Sequence, residues 1–133
     1  MTPGSYKGLL DGNFVFFEIT SDRYVTGFRS NYLREDCNND VYIYGTLDWG
    51  TSRFPIAADG TFSVSGTGTG TVDNLPATFT DSVTGKVDGT TVTGKVDGTT
   101  VTGTVTGTAD FTDQGARYIC SSGARNYTAT LQS

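Results

Sequence analysis

The sequence predicts an all-β fold, an antiparallel sandwich or flattened barrel of about 8–10 short strands. Three observations carry this expectation. Glycine (18), phenylalanine (8) and tyrosine (7) are abundant, threonine and valine recur throughout, and no stretch joins helical apolar periodicity to capping residues. Short apolar runs alternate with tight-turn signals such as Asp11-Gly12-Asn13 and Asp59-Gly60. The unit VTGKVDGTT stands twice in tandem, at 83–91 and 92–100, before a degraded third copy, VTGTVTGTA, at 101–109. With 133 residues, the chain is expected to form a single domain, 1–133, large enough to bury a core.

Taken in order, the first strand is expected near residues 5–10 and the second at Phe14–Thr20. In the second, both the Val15/Phe17/Ile19 face and the Phe14/Phe16/Glu18 face begin apolar, which predicts cover on both sides. Ser21-Asp22-Arg23 turns the chain into Tyr24–Phe28, and residues 34–40 (REDCNND) read as a polar loop carrying Cys37. VYIYGTL (41–47) alternates, with Val41, Ile43 and Leu47 on one face and Tyr42, Tyr44 and Thr46 on the other. TFSVS (61–65) directs Phe62 and Val64 inward, whereas GTGTGTV (66–72) reads as a flexible edge or loop. Residues 117–120 and 126–131 are the last two strands, with a turn at Gly123.

Asp-Gly is a favoured pair for a two-residue hairpin turn. Turns at Asp88-Gly89 and Asp97-Gly98 predict a three-stranded meander at 81–107, with strands near 81–87, 90–96 and 99–107. In that register Val92 opposes Gly103 and Gly94 opposes Val101. Val83, Val87, Val92, Val96, Val101 and Val105 then share the inward face, and Lys86, Lys95 and the threonines face out. An added strand reverses the direction of all that follows. The fold is expected to absorb it by a projecting hairpin, a rerouted 108–117 segment, or pairing with another chain.

The formal net charge is −5, and the nine Lys and Arg are scattered singly, which argues against nucleic acid and against anionic membrane surfaces. No apolar run reaches membrane-spanning length. MTPGSYKG lacks the basic start and apolar middle of a leader, so a secreted chain is expected to have lost its leader upstream. Cys37 and Cys120, in a Gly/Thr-rich β chain, read as one long-range disulfide, with two free cytosolic thiols as the alternative; the bond would place the chain outside the cell.

The chain has no histidine, which removes Ser-His and Cys-His nucleophile pairs, and two cysteines cannot make a four-ligand zinc site. No metal and no cofactor are expected. Paired carboxylates are the remaining catalytic class, with Glu18, Glu35 and Asp48 as candidates for glycoside hydrolysis. Most aspartates stand at turns, where they serve local geometry, so the chain is expected not to be an enzyme. Tyr42, Tyr44 and Trp49, with Arg53 nearby, form a candidate sugar-binding face, because aromatic rings offer flat apolar area with polar tips. Phe14, Phe16, Val92 and Val96 are candidates for self-association.

Several stretches together resemble a group of small secreted bacterial β-sandwich modules. They are GSYKG (4–8), FVFFEIT (14–20), the cysteine at 37, FPIAADGTF (54–62), VTGKVDGTTVTGTVTG (92–107) and CSSGARNYTAT (120–130), where Tyr127 precedes Thr-Ala. The resemblance covers nearly the whole chain. It implies a disulfide-pinned antiparallel sandwich without catalysis, and the second copy of the nine-residue unit departs from its single hairpin. The expected function is a non-catalytic extracellular module with a structural, adhesive or self-associating role. The alternatives are a carbohydrate-binding module and, third, a carboxylate-based glycoside hydrolase. The expected partners are a second copy of the chain or a glycan, with no nucleic acid and no membrane insertion.

Overall fold

The strand order follows from where the turns fall. The computed structural model describes residues 2–88 and 98–132. Its strands are β1 (Gly4–Leu10), β2 (Asn13–Ile19), β3 (Tyr24–Cys37), β4 (Tyr42–Asp48), β5 (Arg53–Pro55), β6 (Thr61–Val72), β7 (Leu75–Val87), β8 (Thr100–Asp113), β9 (Ala116–Ser121) and β10 (Arg125–Leu131). Three hairpins close on two-residue connections with successive positive φ: Asp11-Gly12 (50°, 82°), Asp73-Asn74 (48°, 66°) and Gln114-Gly115 (51°, 81°). That geometry matches the right-handed twist of the flanking strands.

All pairings are antiparallel, in one sheet ordered β10-β1-β2-β3-β9-β8-β7-β6, with β4 and β5 also paired to β3. The sheet closes on itself because β8 serves two partners along one edge. Its Thr100–Val105 half pairs with β10 and its Thr108–Asp113 half with β9. From β10 the path runs through β1 and β2 to β3, which returns to β9 at only two positions, Asp36↔Ser121 and Cys37↔Cys120. Cys37 and Cys120 are bonded at that seam. The outcome is a sandwich-like, unevenly closed all-β fold.

Aromatic side chains dominate the core. Phe17 stacks on Tyr6 at 5.4 Å and on Phe28 at 5.5 Å, and Tyr127 meets Phe28 edge-on at 5.7 Å. The Tyr127 hydroxyl donates to the Thr84 carbonyl at 2.9 Å, which satisfies its polar tip inside an apolar environment. The repeat tract supplies Val83, Val87, Val101 and Val105, all fully buried, as their alternation predicts. Gly85 opposes Gly103, and the missing side chain at Gly85 leaves room for the Phe62 ring and the Tyr127 hydroxyl.

Four expectations need correction. Residues 34–37 are not loop: they continue β3, because Arg34, Glu35 and Asp36 pair with Tyr44, Ile43 and Tyr42. The Gly-rich 66–72 tract is the second half of β6, held along its length by β7, although it forms an outer edge. Phe14 is 47% exposed, so among the described residues β2 is covered on one face only. Finally, 81–87 and 99–107 are not separated by a third strand. β7 pairs directly with β8, placing Val87 opposite Val101 and Val83 opposite Val105, and the other edges of β7 and of Thr100–Val105 are taken by β6 and β10. Val101 and Gly103 therefore have both of their ladder neighbours supplied by β7 and β10. The expected middle strand, near 90–96, lies outside the described residues, as do Val92, Lys95 and Val96.

The direct pairing carries a test. The Asp88 amide donates to the Thr100 carbonyl at 2.9 Å, the Thr100 amide donates to Asp88 Oδ1 at 3.0 Å, and Gly98 lies against the Asp88 carbonyl. Excising residues 89–97 would leave Gly98-Thr99 as a two-residue connection between strands already paired. Because the copies are identical, the product has the same sequence as a chain lacking 92–100. The shortened chain is expected to fold with unchanged or slightly higher stability, by about 1 kcal/mol, from the shorter loop. Urea denaturation checks this: a loss of roughly 2 kcal/mol or more would make the extra copy part of the packed structure.

Candidate functional site

A β-bulge builds the site. Along β3 the inward residues run Val25, then Phe28 and Ser30, then Leu33 and Glu35. The last change of parity comes from a register shift against β4 between Ser30 and Leu33, where Tyr32 adopts a φ of 57°. Simple alternation from Phe28 and Ser30 would send Arg34 inward and Glu35 to solvent. The extra residue reverses this and re-aims the carboxylate, a common use of bulges beside functional sites.

Glu35 is consequently only 2% exposed. Its carboxylate lies over Gly45 of β4, where a Cβ would stand 2.6 Å from Glu35 Oε2, so a side chain at that position would compete for the space. Asp81 of β7 converges on the same place: a Cβ on Gly107 of β8 would stand 3.4 Å from both Glu35 Oε2 and Asp81 Oδ1. Burial pushes the Glu35 carboxyl up to about 7, and the Asp81 charge adds to this. Burial alone pushes Asp81 up to about 6. Glu35 Oε1 has no hydrogen-bond partner among the described residues.

The two carboxyls line a cleft of about 680 Å³ between β4 and the β6–β7 hairpin. Ile43, Leu47, Val72 and Phe79 supply apolar wall, and Asp48, Asp73, Thr69 and Thr71 are polar groups nearer solvent. Among the described residues, four carboxylate residues and no Lys or Arg line it. Among the described residues, no three His, Cys, Asp or Glu side chains are grouped to hold a metal ion.

The structure divides the sequence candidates. Tyr42 and Tyr44 stand together on the outward face of β4, 53% and 58% exposed, with rings 5.7 Å apart and nearly perpendicular. The Arg34 guanidinium covers Tyr42 at 4.2 Å. Trp49 is elsewhere, edge-on to the buried Phe54 at 5.4 Å. Arg53 is engaged by Asp22 at 2.9 and 3.0 Å and lies over Tyr24 at 4.2 Å. Phe14 and Phe16 share the outer face of β2 at 5.9 Å, with the Lys7 ammonium 4.2 Å above Phe14. Of the three candidate carboxylates, Glu35 and Asp48 line the cleft, and Glu18 is exposed near Ser5.

Asp81 is the site residue that sequence reasoning missed. A signal existed: Asp81 has the parity of Val83 and Val87, the inward face of its strand. The chain matches no protein-family model, and neither curated proteins nor solved structures give a match.

Proposed function

We propose that this chain is a non-catalytic extracellular module, of the secreted bacterial kind its motifs resemble, that binds a small ligand in the cleft between β4 and β6–β7. Glu35 carries the reading. A buried carboxyl with an unpartnered oxygen is costly to fold, and one that lines a cleft has a natural compensation in a bound ligand. Perturbed carboxyls in a cleft mark functional sites more often than chance.

Binding is favoured over catalysis because acid–base chemistry at paired carboxyls needs their pKa values pushed apart. Here burial drives Glu35 and Asp81 in the same direction. The disulfide supports an oxidising compartment. The carbohydrate alternative now rests on Tyr42 and Tyr44, since Trp49 and Arg53 are engaged elsewhere.

Amide spectra of labelled protein titrated with a small-molecule fragment set test the proposal. Shifts should cluster at Gly45, Gly68, Phe79 and Gly107; hits confined to other surfaces would remove it. The same spectra, run as a concentration series, test self-association. That second reading is favoured by Leu9 and Phe14, which oppose each other across β1 and β2 and are 55% and 47% exposed. It requires concentration-dependent shifts at those two residues, and a strict monomer would eliminate it.

A further inference from the structure

Resting on the cleft as the binding site, we infer that its ligand is a small aliphatic amine, with the ammonium head between Glu35 and Asp81 and the hydrocarbon along Ile43 and Phe79. The argument is one of complementary charge. Among the described residues, the charged residues that line the cleft are Glu35 from β3, Asp48 from β4, whose Oδ1 accepts from the Gly50 amide, Asp73 from the β6–β7 turn and Asp81 from β7. β8 contributes Gly107 beside the two carboxyls, and its Asp110 is paired with Arg117. An ammonium group brings the missing positive charge and three N–H donors, enough to serve the Glu35 and Asp81 carboxyls together where Glu35 Oε2 and Asp81 Oδ1 converge.

A bare metal ion fits less well, because the donors do not group as a metal shell among the described residues. A neutral polyol would give hydrogen bonds and leave the charge repulsion between the two carboxylates in place. The apolar wall selects an ammonium on a carbon chain over a hydrated inorganic cation. Binding should also release a proton, since Glu35 is partly protonated near neutral pH and the ammonium favours its ionised form.

The test titrates the labelled full chain with hexamethylenediamine, with hexanediol as neutral counterpart. The diamine should shift Gly45, Phe79 and Gly107 and bind at least about tenfold more tightly than the diol. Its affinity should fall by about tenfold between roughly pH 8 and pH 5.5, as Glu35 and Asp81 take up protons. Glu35→Gln should cause a similar loss, and Asp81→Asn serves the same purpose if the first variant does not fold. Equal binding of diol and diamine in the cleft overturns the amine assignment and leaves the cleft reading intact, whereas fragment hits and diamine shifts all outside the cleft overturn both. Diamine binding insensitive to both substitutions also overturns the assignment. A blocked lysine amide in the same series separates sources: if it binds more tightly than the diamine, the ammonium belongs to a protein side chain and the small-amine assignment falls.

Discussion

Replacing Cys37 and Cys120 together by serine is expected to lower the unfolding free energy by about 4 kcal/mol. The bond spans a sequence separation of 83 residues, so breaking it returns a large loop entropy to the unfolded chain. The native state has little to resist this locally. β3 meets β9 at two residue pairs, against eleven between β7 and β8. Asn38 adds a side-chain strap, donating to the Arg117 carbonyl at 3.0 Å and accepting from the Ile119 amide at 2.8 Å. The seam nevertheless closes the path from β10 through β3 back to β8. Urea denaturation of the double variant measures the effect, and a loss below roughly 1 kcal/mol would show that the strap and core hold the seam without the bond. Since Glu35 lies two residues before Cys37, the diamine titration should also weaken in the double variant.

How much of this could be read beforehand depended on whether a feature was set locally. The first two strands, β4 and the Asp11-Gly12 turn were legible, because Asp11-Gly12 and the alternation in VYIYGTL are local signals. The inward facing of Val83, Val87, Val101 and Val105 was legible for the same reason. Their partners were not: identical copies make 83–87 and 92–96 equivalent in sequence, and pairing depends on which edges β6 and β10 already occupy. The polar run at 34–37 looked like loop because composition was weighed without the neighbour: only pairing to β4 makes it strand. The site was hidden by a single extra residue. Tyr32 gives no sequence sign of a bulge, and that bulge alone decides whether Glu35 or Arg34 faces the cleft. Trp49 and Arg53 are close in sequence to Tyr42 and Tyr44, yet the chain turns between them and engages each elsewhere.

The buried carboxyls should make stability fall as pH rises, the opposite of acid denaturation by paired surface carboxylates. Glu35 rises from 4.5 in the ordinary state to about 7 in the fold, and Asp81 from 3.8 to about 6. Between those values the folded chain binds more protons than the unfolded one, so unfolding free energy decreases with pH. The stabilisation is fully present below about pH 4, is lost progressively as pH rises through the folded values, and is gone by about pH 8. For Glu35 alone the displacement corresponds to about 3 kcal/mol. Asp22, Asp59 and Asp110 work the other way: hydrogen bonds from Thr20, Thr61 and Arg117 respectively, with other partners, hold them low, so their contributions are lost as acid protonates them. Stability should therefore peak near pH 4–5, about where neither set is opposed. Glu35→Gln isolates the buried group. At about pH 8 it should raise the unfolding free energy by roughly 2–3 kcal/mol, because it removes a charge from an apolar setting, and near pH 4.5 it should change little. Urea midpoints of the parent and variant across that range provide the measurement. Parallel curves would mean that Glu35 is ionised without penalty, and would remove both the buried-acid account of the cleft and the ligand chemistry built on it.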